Sequence, residues 1–210
     1  MIKVAITDDH PLLLEGLRNI LENNERIEIV GCFKNVSETN IGLRKQLVDI
    51  LLLDINLAET NTIELIKPLK KKYNHLQIIM LSVHNELPVI NSTLAEGASG
   101  YIQKNASVSE IIEGIVAVYS GKTFSCRQTK AAFEKKSSEG LHQVPKLTRR
   151  EKEVLVEAGN GLTTNLIAEK LFISPHTVES HRKNLIEKFQ TSNLSSAIKL
   201  AIEYGLIMGH

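Results

Sequence analysis

The sequence predicts an α/β protein in which a doubly wound, five-stranded parallel sheet is followed by a small all-α domain of four helices. Five short apolar segments alternate with five amphipathic ones over about residues 1–120, which is typical of a parallel sheet covered by helices. Residues 49–56 are apolar throughout their middle, as expected of a strand buried on both faces. From residue 147 onward, apolar residues recur only at helical spacing.

The elements of the first domain follow in chain order. Strands are predicted at residues 2–7, 27–33, within 49–56, at 77–83 and at 100–103. Helices are predicted at about residues 11–21, 37–47, 62–72, 88–96 and 107–121. Pro11 suits the first turn of the first helix, whereas Pro68 is expected to kink or split the third helix.

The remaining chain divides into a connector and a helical domain. Residues 121–146 lose the periodicity and are rich in Lys, Ser and Gln, so we predict a linker with about one helical turn. The first domain is then expected at residues 1–120 and the second at residues 147–210. Thr148 and Glu151 have the spacing of a capping box, and Ser174 before Pro175 predicts a further helix start.

Composition and charge limit the function classes. The 210 residues allow one large domain or two modest ones, and 42% hydrophobic with 23% charged residues is ordinary for a globular protein. We expect neither a signal peptide nor a membrane span, and the distant Cys32 and Cys126 predict reduced thiols in the cytoplasm. Residues 147–210 carry 8 basic and 7 acidic residues, so a DNA-binding prediction must rest on pattern rather than on charge.

Polar and charged residues follow four of the predicted strands. They are Asp8 and Asp9, Asp54, Ser82, and Lys104. Because the carboxyl ends of parallel strands share one rim of a sheet, we expect these side chains to converge. Converging carboxylates suit Mg²⁺, and a lysine beside the cation suits a phosphoryl group that an aspartate attacks. The alternatives are that Asp8 or Asp9 only caps the first helix, and that Ser82 and Lys104 only serve turns.

With these residues, the first domain resembles a response-regulator receiver domain. The matching positions are Asp8, Asp9, Asp54, Ser82, Tyr101 and Lys104. The resemblance implies that a phosphohistidine of a sensor histidine kinase phosphorylates Asp54. It implies that Asp9, Asp54 and the backbone carbonyl of Asn56 hold Mg²⁺, with Asp8 acting through water. It also implies that Ser82 and Tyr101 change rotamer on phosphorylation.

Three features depart from the receiver pattern, one of which is Pro68 inside the third helix. Ala58 and Thr62 occupy the places of the usual Pro and Gly after the acceptor, and Asn105 replaces the common Pro after Lys104. A cis peptide bond before a residue other than proline costs about 3–4 kcal/mol, so the loop that begins at Asn105 is expected to differ from the family geometry. None of the three departures removes a chemical group from the site.

The pattern of the second domain predicts a helix-turn-helix at residues 163–189. Val178, Leu185 and Phe189 would form the buried face of its second helix, leaving polar residues outside. A small helical protein-interaction module fits the spacing equally well. The motifs at residues 147–151, 167–168, 173–174, 177–178 and 205–207, with His181, Asn184 and Lys188, then make residues 147–207 resemble the NarL/FixJ (LuxR-type) DNA-binding domain.

This second resemblance implies roles for three groups of residues. Glu179, Ser180 and Lys183 would reach base edges, Thr177, Arg182 and Lys188 would touch phosphates, and the last helix with Ala197, Leu200 and Ala201 would form the dimer on two-fold operators. The family often has a basic residue at the position of Glu179. A glutamate there repels phosphate but accepts a hydrogen bond from a cytosine amino group.

Together, the two domains predict a two-component response regulator rather than an enzyme. We expect Mg²⁺ as cofactor, a sensor histidine kinase and double-stranded DNA as partners, a homodimer on DNA, and no membrane association. One rival is a haloacid-dehalogenase-type phosphatase with Asp54 as nucleophile, which would need a second acid where the chain has Asn56. The other rival is a small-molecule-sensing regulator with the same C-terminal domain, which the acidic strand ends disfavour.

Overall fold

The computed structural model describes residues 1–57, 60–84, 86–134 and 144–207. The chain divides into two compact units, residues 1–136 and residues 137–210. No helix of the described part is long and apolar enough to cross a membrane.

The first unit contains strands and helices in alternation. The strands are β1 (Ile2–Thr7), β2 (Ile27–Phe33), β3 (Ile50–Asp54), β4 (Asn56–Leu57), β5 (Thr60–Asn61), β6 (Gln77–Ser82), β7 (Gly100–Gln103) and β8 (Phe124–Ser125). The helices are α1 (Pro11–Glu22), α2 (Val36–Lys45), α3 (Ile63–Lys72), α4 (Leu87–Ala95), α5 (Val108–Tyr119) and α6 (Arg127–Glu134). A parallel sheet has the order β2-β1-β3-β6-β7-β8, and β4 pairs with β5 in a separate antiparallel ladder.

The centre of the sheet is as apolar as the sequence predicts. Every residue of β3 is buried, because β1 and β6 flank it and helices cover both faces of the sheet. Leu51 and Leu52 have no exposed surface, and Leu53 is 1% exposed. The five predicted strands and the five predicted helices between them are therefore confirmed, and Asp54 is the last residue of β3.

Two local features differ from the predicted ones. Pro68 does not split its helix, since α3 runs unbroken from Ile63 to Lys72, with Pro68 on its exposed side; the alternative, a kink at Pro68, stays a prediction. The first part of the predicted linker is not irregular, because β8 adds a sixth strand through the pairs Gly100↔Phe124 and Tyr101↔Ser125, and α6 follows it. A two-residue strand is too short to produce a readable period of alternation. Residues 135–143 of the predicted linker lie outside the described residues.

The second unit consists of the four predicted helices. They are α7 (Arg149–Gly159), α8 (Thr164–Leu171), α9 (Pro175–Lys188) and α10 (Leu194–Glu203). The predicted capping box is present, with the Thr148 side chain accepting from the Glu151 N–H and the Glu151 side chain accepting from the Thr148 N–H. Phe172 ends α8 in the left-handed conformation at φ 54°, and Ser174 caps α9. This short turn between two packed helices gives the predicted helix-turn-helix.

Candidate functional site

The residues at the strand ends converge as the sequence predicts. Asp54 ends β3, and the pairing of β1 with β3 brings the end of β1, followed by Asp8, to the same rim. Lys104 follows β7, and its Nζ lies 2.7 Å from Asp8 Oδ2 and 2.9 Å from Asp54 Oδ2. The ammonium group therefore bridges two carboxylates that come from different strands.

Burial makes this cluster electrostatically demanding. The side chains of Asp8, Asp54 and Lys104 are 0%, 4% and 12% exposed. Burial raises the pKa of Asp54 to about 6; Asp8 adds to the rise, while Lys104 and the backbone N–H of Asn56 oppose it. Burial lowers the pKa of Lys104, but the hydrogen bonds to Asp8 and Asp54 outweigh it, so the net shift is upward.

The acid pair and a histidine complete an oxygen-rich pocket. His10 Nδ1 lies 3.0 Å from Asp8 Oδ1 and 2.9 Å from Asp9 Oδ1. One ligand atom from each of Asp8, Asp9, His10 and Asp54 lies within 4.8 Å of the others. The carboxylate donors fit a hard divalent cation such as Mg²⁺. His10, which sequence reasoning missed, is also the N-cap residue of α1; its side chain makes no capping hydrogen bond, and its N–H donates to Asp8 Oδ1 at 2.9 Å.

A second missed residue, His84, connects the other predicted site residues. Its Nε2 lies 3.1 Å from Asn56 Nδ2, and its backbone N–H donates to Ser82 Oγ at 2.9 Å. Its carbonyl accepts from the hydroxyl of Tyr101 at 3.0 Å, and the Tyr101 ring has no exposed surface. The pKa of Tyr101 is raised by burial. The only sequence signal for His84 is its place two residues beyond the end of a buried strand.

Thr62 and Asn105, two of the positions that depart from the receiver pattern, lie among the described residues. Thr62 is fully buried, and its hydroxyl donates to the carbonyl of Asp54 at 2.5 Å and to that of Ile55 at 3.1 Å. Its φ of −82° is normal for any residue, so this position does not require glycine. Asn105 follows β7, and the described residues contain no cis peptide bond. Ala58 lies outside the described residues.

The outer face of α9 carries the predicted DNA-contacting residues. Ser180, Lys183 and Glu179 are exposed, whereas Thr177 and Arg182 are half-buried. The carboxylate of Glu179 accepts a 2.5 Å hydrogen bond from the hydroxyl of Thr164 and lies 3.4 Å from Arg182 Nη1. Arg182 also donates to the Thr164 hydroxyl. The structure thus pairs Glu179 with the neighbouring arginine.

Three other predicted residues of the second unit have contacts within it. Lys188 Nζ lies 2.7 Å from Glu151 Oε2 and donates to the carbonyl of Lys146, so its charge is already engaged. Ala197 and Ala201 have no exposed surface, because this face of α10 packs on α7 and α9. The adjacent Leu200 is half-buried. The DNA and dimer roles of these residues stay predictions.

The fold and the two sites define a class, an acidic-rimmed parallel α/β domain joined to a helix-turn-helix domain. The family model of the response regulator receiver domain matches residues 4–116, and that of the bacterial regulatory proteins of the LuxR family matches residues 145–201. The chain therefore belongs to the response regulators that carry a LuxR-type DNA-binding domain. These matches favour neither the phosphatase nor the small-molecule sensor.

Whole-length relatives agree with this assignment. The transcriptional regulatory protein LnrK of Bacillus subtilis is 31% identical over 98% of this chain and 99% of its own. A solved structure of RcsB from Salmonella enterica serovar Typhimurium, bound to promoter rprA with the phosphomimetic BeF3-, is 26% identical with a TM-score of 0.63, covering 98% and 99% of the two chains. A structure of two RcsB dimers on two parallel DNAs is also 26% identical, with a TM-score of 0.62 and coverages of 96% and 98%.

Proposed function

We propose that this response regulator accepts a phosphoryl group on Asp54 from the phosphohistidine of a sensor histidine kinase and controls transcription by binding DNA. The observation that carries the phosphoacceptor assignment is Lys104 Nζ, which bridges Asp8 and Asp54 at a buried rim. A buried carboxylate at the open end of a parallel sheet, with a cation beside it, is placed to attack an anionic phosphorus group. The chain would thus act as a regulated acceptor rather than as a classical enzyme.

The proposed transfer of the phosphoryl group forms one bond and breaks another, and it uses the side chains at the rim of the sheet. An oxygen of Asp54 forms a bond to phosphorus as the bond from phosphorus to the histidine nitrogen breaks, and the donor imidazole leaves with that electron pair. Lys104 is within reach to move from the carboxylate to a new phosphoryl oxygen. Ser82, buried at the end of β6, would donate its hydroxyl hydrogen bond to another phosphoryl oxygen.

The same rim fits the proposed Mg²⁺ site. Asp8, Asp9, Asp54 and the backbone carbonyl of Asn56 would hold the ion; the carboxylate atoms cluster within 4.8 Å, and Asn56 lies two residues beyond β3. When bound, Mg²⁺ would neutralise charge on the transferring phosphoryl oxygens. Because Asp8 and Asp54 are buried with one lysine between them, the site has more negative than positive charge, which favours a cation.

The proposed output begins at the loop after β6. A rotamer change that lets Ser82 donate to a phosphoryl oxygen would move its hydroxyl away from the His84 N–H, from which it now accepts. Since the His84 carbonyl also accepts from Tyr101, movement of this loop would release the buried tyrosine ring. We propose that this sequence of hydrogen-bond changes alters the surface beside β7.

The proposed DNA function uses α9 in the major groove. The exposed Glu179, Ser180 and Lys183 would reach base edges, and phosphates would be contacted by Thr177, Arg182 and Lys188. The solved RcsB complexes, which contain dimers and DNA, support a homodimer on DNA for this chain. The match to the LuxR family of bacterial regulatory proteins supports a cytoplasmic location. The proposed domain limits are residues 1–120 for the receiver domain, 121–146 for the linker and 147–210 for the DNA-binding domain. Within the linker range, β8 and α6 belong to the first compact unit.

The test of the acceptor is intact mass after incubation with Mg²⁺ and a small acyl phosphate. The wild-type chain should gain one phosphoryl group, Asp54→Ala should gain none, and Asp49→Ala, which changes an aspartate just before the opposite end of β3, should behave as wild type. If the wild type gives no adduct, binding of beryllofluoride is measured next. Equal adducts on wild type and Asp54→Ala, or failure of both measurements, would overturn the assignment.

A further inference from the structure

We propose that Glu179 is a specificity-determining residue that withholds Arg182 from non-specific contacts with DNA phosphates. The inference rests on the proposed DNA-binding function and refines it. Glu179 then acts first through Arg182 and Thr164, and contacts a base only when a suitable base is present. This differs from a simple phosphate-repelling glutamate, because the effect depends on the arginine that the glutamate holds.

The contacts among the three residues follow from the fold. Glu179 and Arg182 are three residues apart on α9 and so lie on one face of the helix. Thr164 is the first residue of α8, which packs against α9. Its hydroxyl donates to Glu179 Oε1 at 2.5 Å and accepts from Arg182 Nη1, as one hydroxyl is able to do. Arg182 Nη1 lies 3.4 Å from the same carboxylate oxygen.

This arrangement leaves α9 with little uncommitted positive charge. Lys188 is bound to Glu151 and Arg182 to Glu179. Lys183 is exposed and has no hydrogen bond or ion pair with any residue that the structure describes. A phosphate that contacts Arg182 must therefore compete with Glu179 for its guanidinium group. Because counterion release drives non-specific binding, a withheld arginine weakens affinity for DNA of any sequence.

The cost of releasing Arg182 differs between DNA sequences. When a phosphate takes the arginine, Glu179 keeps its negative charge near the DNA backbone and has lost one partner. A cytosine amino group in the major groove replaces that partner by donating to the carboxylate. A site with cytosine at that position keeps both charges paired, whereas other sites leave the carboxylate exposed to phosphate. Discrimination therefore arises from a penalty against the wrong sequence as well as from a contact with the right one.

The experiment compares Glu179→Gln with Glu187→Gln in the full-length chain. Both variants remove one negative charge from the exposed face of α9, but no hydrogen bond or ion pair joins the Glu187 side chain to another described residue. The probes are a duplex of random sequence and duplexes that the wild-type chain enriches from a randomised pool. Each is titrated at several salt concentrations, after a thermal unfolding scan has established that both variants are folded.

Glu179→Gln should bind the random duplex about three- to tenfold more tightly at low salt, with a salt dependence steeper by about one ion. Its preference for the enriched duplexes should fall by a similar factor, whereas Glu187→Gln should change both duplexes equally. In an Arg182→Gln background, Glu179→Gln should behave like Glu187→Gln, because the coupling has been removed.

Equal behaviour of the two single variants towards both duplexes would overturn the role of Glu179. So would an unchanged effect of Glu179→Gln in the Arg182→Gln background. If neither the wild type nor any variant binds any duplex, with and without beryllofluoride, the proposed DNA-binding function itself fails. The two failures are therefore distinguishable.

Discussion

The acidic pocket and the recognition helix both pair acids with bases, but at opposite degrees of burial. In the pocket, the most exposed of Asp8, Asp54 and Lys104 is Lys104, at 12%. On α9, Glu179 is 60% exposed and Arg182 is 28% exposed. A buried charge is costly to leave unpaired, whereas an exposed pair contributes little and exchanges partners easily. The stability of the buried pocket is therefore sensitive to a change of charge, whereas the exposed ion pair on α9 is able to exchange its partners.

The pair of Glu151 and Lys188 falls between these two cases. The Glu151 side chain is 4% exposed and that of Lys188 is 35% exposed, and their charged atoms are 2.7 Å apart. Glu151 also completes the capping box of α7. Lys188 is also a predicted phosphate contact, yet its ion pair with Glu151 stabilises the helical unit. Residue type alone therefore does not separate a structural ion pair from one that is available to a ligand.

The largest effect on stability is expected from Lys104→Met. This change leaves two buried carboxylates without their cation, so the free energy of unfolding at pH 8 without divalent ions should fall by about 4 kcal/mol. Urea unfolding measures the change. Lys70→Met is the matched control, because the Lys70 ammonium donates to the neutral side chains of Gln77 and Ser99 and, among the described residues, has no carboxylate partner. An equal loss in both variants would show that the pocket lysine has no special electrostatic role.

Asp54→Asn is expected to raise the free energy of unfolding, whereas Lys104→Met lowers it. Since the folded-state pKa of Asp54 is raised to about 6 from 3.8, the folded protein binds this proton more tightly than the unfolded chain, and stability is lost as pH rises through about 6. Without divalent ions, Asp54→Asn should therefore stabilise the protein by about 3 kcal/mol at pH 8. The advantage should disappear below about pH 4.

Unfolding curves at several pH values test this prediction, with Glu25→Gln as a control at an exposed carboxylate. Asp54→Asn combined with Lys104→Met should recover part of the stability that Lys104→Met loses, because one of the two unpaired carboxylates is then neutral. If Asp54→Asn is no more stable than wild type at pH 8, the prediction is wrong, because the folded pocket then holds the ionised Asp54 without a loss of stability.

The smallest of the three effects is expected from Lys188→Met. Burial raises the pKa of Glu151, but the hydrogen bonds from Lys188 and the Thr148 N–H outweigh it, so the pKa is lowered overall. The stability that the ionised Glu151 contributes is therefore present above about pH 4.5, and it is lost as pH falls through the lower pKa that Glu151 has in the folded protein. At pH 7 the variant should lose about 1–2 kcal/mol.

Lys199→Met is the control, because Lys199 is 79% exposed and its nitrogen lies 4.0 Å from Glu203. It should leave the unfolding midpoint unchanged. Measuring both variants from pH 3 to pH 8 tests the comparison, because equal losses for the two lysines at pH 7 would contradict the ranking by burial.

Much of the fold and of the acidic pocket could be predicted because each depends on a local pattern. A buried parallel strand is readable as an apolar run, and its end predicts where Asp54 lies. The two-residue strand β8 has no such pattern, and its pairing with β7 depends on the folded sheet. Pro68 does not split α3, since it lies on the exposed side and the helix continues through it.

The sequence by itself determined the order of strands and helices, the convergence of Asp8, Asp54 and Lys104, and the two-domain family, because these follow from periodicity and from the shared rim of parallel strands. Only the tertiary structure decided which charges are already paired. His84 beside Asn56, Thr62 on the Asp54 carbonyl, and Glu179 against Thr164 are contacts between elements. Such contacts depend on side-chain positions after packing, which no spacing along a single element records.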